Sequence, residues 1–313
     1  MTSACPICDD TAVGRVPFDI QPTDNLEIYR CTSCELEFLS SWNNVELVKS
    51  LYANNNYVFK HNVDQTGELP LKFDEYEERV EWVKPFLDKT KSLLEIGCGE
   101  GKFLKMVQPQ LSVVEGIELA EEHVSALGKQ GIKCYDFFVG EKPPPREYDI
   151  VCLFAALEHI PDVGRFLEQL KGFIKSDSQI FIEVPNLLDP LVSTFDLPEF
   201  RSFYYRSIHL YYFTPKSIKK LLRKHGYDCE IKTSQQASIT NHFHWMYERS
   251  GQRNGNYMAS PILPVRLLES SKINRIFDAV DTEYRKLLEK EQIGDLLDVR
   301  AWLSGAGARE EKN

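Results

Sequence analysis

The stretch Glu95-Ile96-Gly97-Cys98-Gly99-Glu100-Gly101 constrains this chain most. The apolar run Ser92-Leu93-Leu94 leads into it, and the helix-like run Lys102-Phe103-Leu104-Lys105-Met106-Val107 follows. The spacing therefore predicts a strand, a tight turn and a helix N-terminus. Glycine lets the backbone turn sharply and lets a ligand approach the main chain, because no Cβ intervenes. The next apolar run, Val113 to Ile117, ends at Glu118. A carboxylate in that place can accept hydrogen bonds from both hydroxyls of a ribose. Together these features predict an open α/β sheet that holds an adenosine-containing cofactor. The dinucleotide fingerprint is G-x-G-x-x-G; the order here is G-x-G-x-G, which argues against a nicotinamide dinucleotide.

Further on come Asp149-Ile150-Val151, Leu157-Glu158-His159-Ile160 and the run Gln179 to Asn186. With Leu94 to Gly101 and Gly116-Ile117-Glu118, these resemble class I S-adenosylmethionine-dependent methyltransferases. The resemblance covers Leu93 to Tyr227 and resumes at Tyr284 to Leu303, where Asp295 to Val299 is similar to the family's last strand. It implies a Rossmann-like sheet of seven strands, mostly parallel, with the last strand antiparallel. It also implies that Gly97 and Gly99 lie beside the methionine and ribose of the cofactor, that Glu118 holds the ribose hydroxyls, and that Asp136 with the Phe137 backbone approaches the adenine. Glu95, Cys98, Gly101, Leu119 and Phe154 complete the implied cofactor site. Asp149 begins its strand and is assigned a structural role.

The cysteines divide into two groups. Cys98, Cys134, Cys152 and Cys229 lie in apolar runs and read as small core residues. Cys5-Pro6-Ile7-Cys8 and Cys31-Thr32-Ser33-Cys34 are two C-x-x-C knuckles separated by 22 residues. Four thiolates can close a tetrahedral zinc site, which then has no open position and is structural. Residues 1–40 carry seven acidic side chains against Arg15 and Arg30, and the whole chain has a net charge of −10. Neither suits a polyanion, so no nucleic acid is expected as partner. The module resembles those of sugar methyltransferases in surface-glycan and natural-product pathways, where it helps to wall the acceptor pocket.

A chain of 313 residues allows one large or two modest domains. The expected division is a zinc-binding module over 1–40, a helical connector over 41–90, a cofactor-binding core over 91–234 with an acceptor lid over 187–213, an insert over 235–294, and a last core strand and tail over 295–313. Trp42 to Tyr57 reads as a helix, Val58 to Pro70 as a mobile segment, and Leu267 to Lys290 as a helix. Thr214-Pro215 reads as the start of a helix that ends before Gly226. There is no apolar run long enough for a membrane helix and no secretory leader, so the expectation is a cytoplasmic protein with no membrane partner.

Transfer to a hydroxyl calls for a base, and histidine is suited near neutral pH. His159 follows the Asp149 strand. His209 lies in an aromatic segment after the Asn186 strand end, where related sugar C-methyltransferases carry a Glu-His pair; here the preceding residue is Ile208. That departure favours O-methylation, with His209 as the candidate base and His159 as the alternative. Tyr57, Asn186, Arg201, Tyr205 and Arg206 are the candidate acceptor contacts. Phe195 to Phe213 holds eight aromatic residues, which either stack on a sugar or nucleobase or form a satellite apolar cluster. The reading is an O-methyltransferase for a nucleotide-linked sugar or related glycosyl intermediate. Sugar C- or N-methylation, an RNA or protein methyltransferase docking through the zinc module, and a non-catalytic cofactor-binding scaffold stand as alternatives.

Overall fold

The computed structural model describes residues 4–19, 26–46, 48–49, 75–249 and 272–305. Three strands come first: β1 (Val13–Asp19), β2 (Glu27–Cys31) and β3 (Glu37–Leu39). Helix α1 (Glu75–Val83) precedes an alternating series: β4 (Ser92–Ile96), α2 (Lys102–Val107), β5 (Val113–Ile117), α3 (Glu121–Lys129), β6 (Lys133–Tyr135), β7 (Tyr148–Phe154), α4 (Val163–Leu170) and β8 (Ile174–Pro185). Then follow α5 (Pro190–Ser193), α6 (Pro198–Tyr204), β9 (Tyr211–Tyr212), α7 (Pro215–Lys224), β10 (Tyr227–Ser234), α8 (Ile239–Glu248), α9 (Lys272–Lys290) and β11 (Leu296–Leu303).

Alternating strands and helices force a parallel sheet covered on both faces, and its central strands must then be apolar throughout. Every residue of β4 is buried. Its Leu93 packs into the core beneath α1 and α2, and its Leu94 into the core on the opposite face. The strand order is β10-β11-β8-β7-β4-β5-β6, and β11 runs antiparallel to both of its neighbours. This is the seven-stranded arrangement expected from the resemblance. The chain builds outward from β4 to β5 and β6, then returns to place β7 on the other side of β4. That reversal opens a crevice at the carboxyl ends of β4 and β7, where an open α/β sheet binds ligands. Asp149 clamps the opposite end: its Oδ2 accepts from the Ser92 amide at 2.9 Å and its Oδ1 meets Lys175 Nζ at 2.8 Å.

A second sheet has the order β1-β2-β3-β9. Its last strand comes from the segment expected to be a lid, 187–213, with Glu37 opposite Tyr212 and Phe38 opposite Tyr211. The module expected over 1–40 is thus completed by residues far along the chain. An open edge at β3 would offer unpaired backbone groups, and β9 covers it. Lys216 on α7 meets Glu35 at 2.8 Å, and Lys224 reaches the Ile7 carbonyl at 3.0 Å. Ile7, Ile28 and Phe38 share one apolar cluster with Leu94, Val151 and Ile182. The N-terminal sheet and the large sheet are therefore built on one core.

Helix α7 follows its sequence signals. Thr214 and Ser217 form a capping box, Pro215 takes the first turn, and Gly226 follows at φ +79°. Helix α9 begins at Lys272 among the described residues. It is tied to the end of β10 by Arg285, whose Nη1 donates to the Gln235 and Gln236 carbonyls at 2.8 and 2.7 Å. Trp42 lies in a turn, while Val45, Glu46, Val48 and Lys49 within the same expected helix are helical. Tyr57 and the segment Val58 to Pro70 lie outside the described residues. Among the described residues, no helix is long and apolar enough to cross a membrane.

Candidate functional site

The turn after β4 is built on left-handed backbone: Gly97, Gly99 and Gly101 have φ of +76°, +51° and +67°. At two of these, space adds to conformation. A Cβ on Gly97 would stand 2.9 Å from the Ala156 Cβ, and one on Gly101 would stand 2.3 Å from Leu127 Cδ2. Glu118, at the end of β5, closes the turn. Its Oε2 accepts from the Gly99 amide at 2.8 Å, and its Oε1 accepts from the amides of Leu119 and Ala120 at 2.7 and 2.9 Å. One carboxylate thus joins the glycine turn to the start of α3.

A cavity of about 670 Å³ runs from Gly97, Gly99, Glu118 and Leu119, past Ala155 and Ala156, to His159 and Arg206. Phe137 forms part of one wall, and Val45 and Val48, from the segment after β3, form part of another. The positions predicted at the two ends of the site, glycine turn and histidine, therefore open into one space. Sequence reading missed Ala155, Ala156 and His123, which also border it. Ala155 has φ +49°, an unusual conformation for a residue with a Cβ, and no sequence signal marks it.

The far end is held by a single turn of 3-10 helix, Leu157–His159, against the segment that leads into β9. The Leu210 amide donates to the Glu158 carbonyl at 2.7 Å. The rings of His159 and His209 meet edge to face with centroids 4.8 Å apart. His159 Nδ1 lies 3.1 Å from the Ile208 carbonyl, and a carbonyl can only accept, so Nδ1 carries the proton. His159 Nε2 then faces Glu158 Oε1 at 3.7 Å. Burial pushes His159 down to about 4, pushes His209 well below the usual imidazole value, and pushes Glu158 up to about 8. Near neutral pH the trio is two neutral imidazoles beside a largely protonated carboxyl. His209 was the preferred base, but it is His159 that borders the cavity; His209 stands behind it, because Ile208 takes the cavity-facing place.

Beside the glycine turn lies a buried ion pair that the sequence reading passed over. Arg79 Nε donates to Glu183 Oε1 at 3.1 Å, and its guanidinium lies 5.1 Å from the centroids of the Tyr76 and Phe154 rings. Its spacing was a signal, since Arg79 shares a helix face with Tyr76 and Val83. Glu95 is buried nearby, and burial holds its carboxyl well above the usual range.

Several predicted contacts have partners within the chain. Phe154 packs edge to face on Phe103 at 5.0 Å, inside the apolar core. Cys98 is buried with its Sγ 3.7 Å from that of Cys134. Asp136 is exposed and meets Lys142 at 3.3 Å. Asn186 is fully buried and donates to the Gly294 carbonyl at 2.7 Å, bracing the entry to β11. Arg201 pairs with Asp196 at 2.7 Å. The Tyr205 hydroxyl donates to Glu37 Oε2 at 2.5 Å and ties the segment before β9 to β3. Six of the eight aromatic residues from Phe195 to Phe213 are buried against one another or against Trp245, and only Phe195 and Phe203 are exposed. The apolar-cluster reading therefore holds for most of them, because these rings fill the seam between the two sheets. Arg206 does reach the cavity.

Cys5, Cys8, Cys31 and Cys34 converge, with all four sulfurs within 4.8 Å of one another. Cys5 and Cys34 are 3.6 Å apart, and Cys8 and Cys31 are 3.5 Å apart. Zinc–thiolate bonds of about 2.3 Å in a tetrahedron set sulfurs about 3.8 Å apart, so the group fits zinc. Each knuckle closes alike. The residue after its second cysteine, Asp9 or Glu35, has positive φ, and its amide donates to the carbonyl of the first cysteine at 3.0 or 2.9 Å.

A family model described as a methyltransferase domain matches residues 71–231, just over half of the chain. A ubiquinone biosynthesis O-methyltransferase from Neisseria meningitidis serogroup C is 24% identical over 137 residues, which cover 39% of this chain and 56% of that protein. One of the same description from Hydrogenovibrio crunogenus is 26% identical over 132 residues, covering 39% and 55%. The chain spans about half the length of these curated relatives. Among solved structures, an S-adenosylmethionine-dependent methyltransferase from Archaeoglobus fulgidus aligns over 72% of this chain and 92% of its own, with 17% identity and a TM-score of 0.47. A possible histamine N-methyltransferase from Thermotoga maritima aligns over 72% and 88%, with 18% identity and a TM-score of 0.46.

Proposed function

The chain belongs to the methyltransferase domain family, and we propose that it moves a methyl group from S-adenosylmethionine to a hydroxyl of a small acceptor. The observation that carries this reading is the single cavity joining Gly97, Gly99 and Glu118 to His159. When bound, the cofactor supplies a methyl group on a sulfonium that is already a good leaving group. The protein must hold the acceptor oxygen about 3 Å from the methyl carbon and relieve it of a proton. In this reading Gly97, Gly99, Glu118, Leu119 and Phe137 surround the cofactor, while Glu95 and Gly101 shape the turn. His159, braced by His209, stands at the acceptor oxygen. The names of the curated relatives support oxygen as the atom methylated.

Arg165 and Arg206 border the same cavity. Guanidinium groups favour phosphate oxygens, which supports an anionic acceptor such as a nucleotide-linked sugar. Stacking of a sugar on the aromatic segment is no part of the proposal, because most of those rings are buried. We further propose that the four N-terminal cysteines hold a structural zinc ion. Such an ion would stiffen the sheet whose continuation, through Val45 and Val48, walls the cavity.

The test is transfer of label from methyl-tritiated S-adenosylmethionine into a fractionated cell extract, for the wild type and Glu118→Ala. The expected result is label among small anionic metabolites that depends on Glu118. Label in RNA or protein would overturn the acceptor reading, and no transfer into any fraction would overturn the activity.

A further inference from the structure

We propose that Glu158, His159 and His209 hold a divalent first-row metal ion at the acceptor end of the cavity. Its purpose rests on the methyl-transfer reading, but its geometry does not. One carboxylate and two imidazoles present ligand atoms that all lie within 4.8 Å of one another. Bonds of about 2.1 Å place neighbouring ligand atoms about 3–3.5 Å apart around a metal ion. His159 Nε2 and Glu158 Oε1 stand at 3.7 Å, so small rotations of the side chains close the set.

Three further features point to a cation. The bond from His159 Nδ1 to the Ile208 carbonyl leaves Nε2 with its lone pair turned toward the carboxylate. A backbone carbonyl on the second ring nitrogen is the usual brace of a metal-binding histidine. Glu158 Oε2 and His209 Nδ1 are shut from solvent and have no hydrogen-bond partner among the described residues. Glu158 is only 1% exposed, and a buried acceptor without a donor is costly. Glu158 Oε2 and His209 Nδ1 thus meet no partner from outside the trio among the described residues, and a cation that displaces the carboxyl proton completes the arrangement.

The site differs in kind from the cysteine group. Two imidazoles and one carboxylate suit manganese, iron, cobalt or zinc, and three protein ligands leave coordination positions open. His159 borders the cavity, so an acceptor oxygen can take an open position. The ion lowers the pKa of a bound hydroxyl, whose proton passes to solvent. The oxygen lone pair then forms the bond to the methyl carbon as the carbon–sulfur pair returns to sulfur. No oxidant or reductant is required. More than one open position favours an acceptor with two adjacent oxygens.

Cobalt(II) is the probe, added to full-length protein already loaded with zinc, with S-adenosylmethionine binding measured in parallel by calorimetry. The expected result is one cobalt per chain with weak visible bands and no thiolate charge-transfer band. Its affinity should fall at least tenfold in Glu158→Gln and in His209→Asn, while both variants still bind S-adenosylmethionine. These two ligands come from separate segments, so a folding defect in one variant leaves the other to decide. No cobalt uptake beyond a thiolate signal, or equal uptake by both folded variants, would overturn the proposal. Cobalt bound in this way by a wild-type protein that fails to bind S-adenosylmethionine would support the metal site and overturn the methyl-transfer reading instead.

Discussion

Replacing Glu118 by glutamine changes one oxygen to an amide nitrogen and removes one charge at nearly constant volume. In the wild type the carboxylate accepts from Gly99 at 2.8 Å on one oxygen and from Leu119 and Ala120 at 2.7 and 2.9 Å on the other. The single oxygen of glutamine is best used on the Leu119 and Ala120 pair. Its NH₂ then faces the Gly99 amide, donor against donor. A hydrogen bond to a charged acceptor contributes about 1.5–3 kcal/mol, so the Gly99 contact alone should cost about 2 kcal/mol of folding stability. A ribose hydroxyl that uses the same oxygen loses its acceptor too. A further loss of about 2 kcal/mol corresponds to about thirtyfold weaker binding. Urea unfolding reads the first effect, and calorimetric titration with S-adenosylhomocysteine reads the second. A variant that is less stable yet binds within twofold of the wild type would show that Glu118 only braces the turn, and would refute the ribose assignment.

Gly97→Ala should lose at least about 1 kcal/mol and weaken cofactor binding, because its φ is +76° and its new methyl meets Ala156 at 2.9 Å; Gly128→Ala, on open helix surface with nothing within 4 Å, should be neutral or stabilising in the same thermal melts. Burial opposes the charge on Asp149, but Lys175 and Ser92 outweigh it and hold the group below its usual 3.8. The stability it contributes is complete above that value and lost as pH falls through the lower folded one. The gap between wild type and Asp149→Asn in unfolding free energy should therefore be flat near neutral pH and shrink in acid; a gap that widens in acid would contradict the pairing. Stripping zinc with a chelator should melt β1 to β3 and release β9, read as loss of amide protection at Tyr211 and Tyr212; elemental analysis finding no zinc in protein purified without chelators would end that account. Tyr205→Phe leaves Glu37, which is 4% exposed, without its nearest donor and should cost about 1–3 kcal/mol in chemical denaturation.

What the sequence made legible was whatever depends on short-range constraint. The glycine turn, the Glu118 strand end, the helix start at Thr214-Pro215 and the two cysteine knuckles each need particular residue types at fixed spacing, and each occurs where expected. The continuous apolar runs of β4 and β7 announced a sheet covered on both faces. What stayed hidden depends on packing between distant segments. Tyr205 looked like an acceptor contact because aromatic residues suit sugars; its hydroxyl is used on Glu37, 168 positions away in the chain. Asn186 ends a strand on the acceptor side, but its amide braces the Gly294 backbone. Phe154 sits at the correct strand end and faces the wrong layer, since alternation along a strand buried on both sides leaves no polar residue to mark the cavity. No local pattern in β3 foretells that β9 will complete its sheet. His159 and His209 were each visible as candidates, yet their meeting with Glu158 needs the backbone bond from Leu210 to the Glu158 carbonyl, which joins two distant segments.

In the methyl-transfer reading, one cavity joins the cofactor's ribose to His159. Its most direct test is a crystal structure of the full chain with S-adenosylhomocysteine. The expected complex has ribose hydroxyls on Glu118, adenine against Phe137 and the sulfur directed toward His159. A nucleoside bound outside this cavity, or bound with its sulfur turned away from His159, would contradict it.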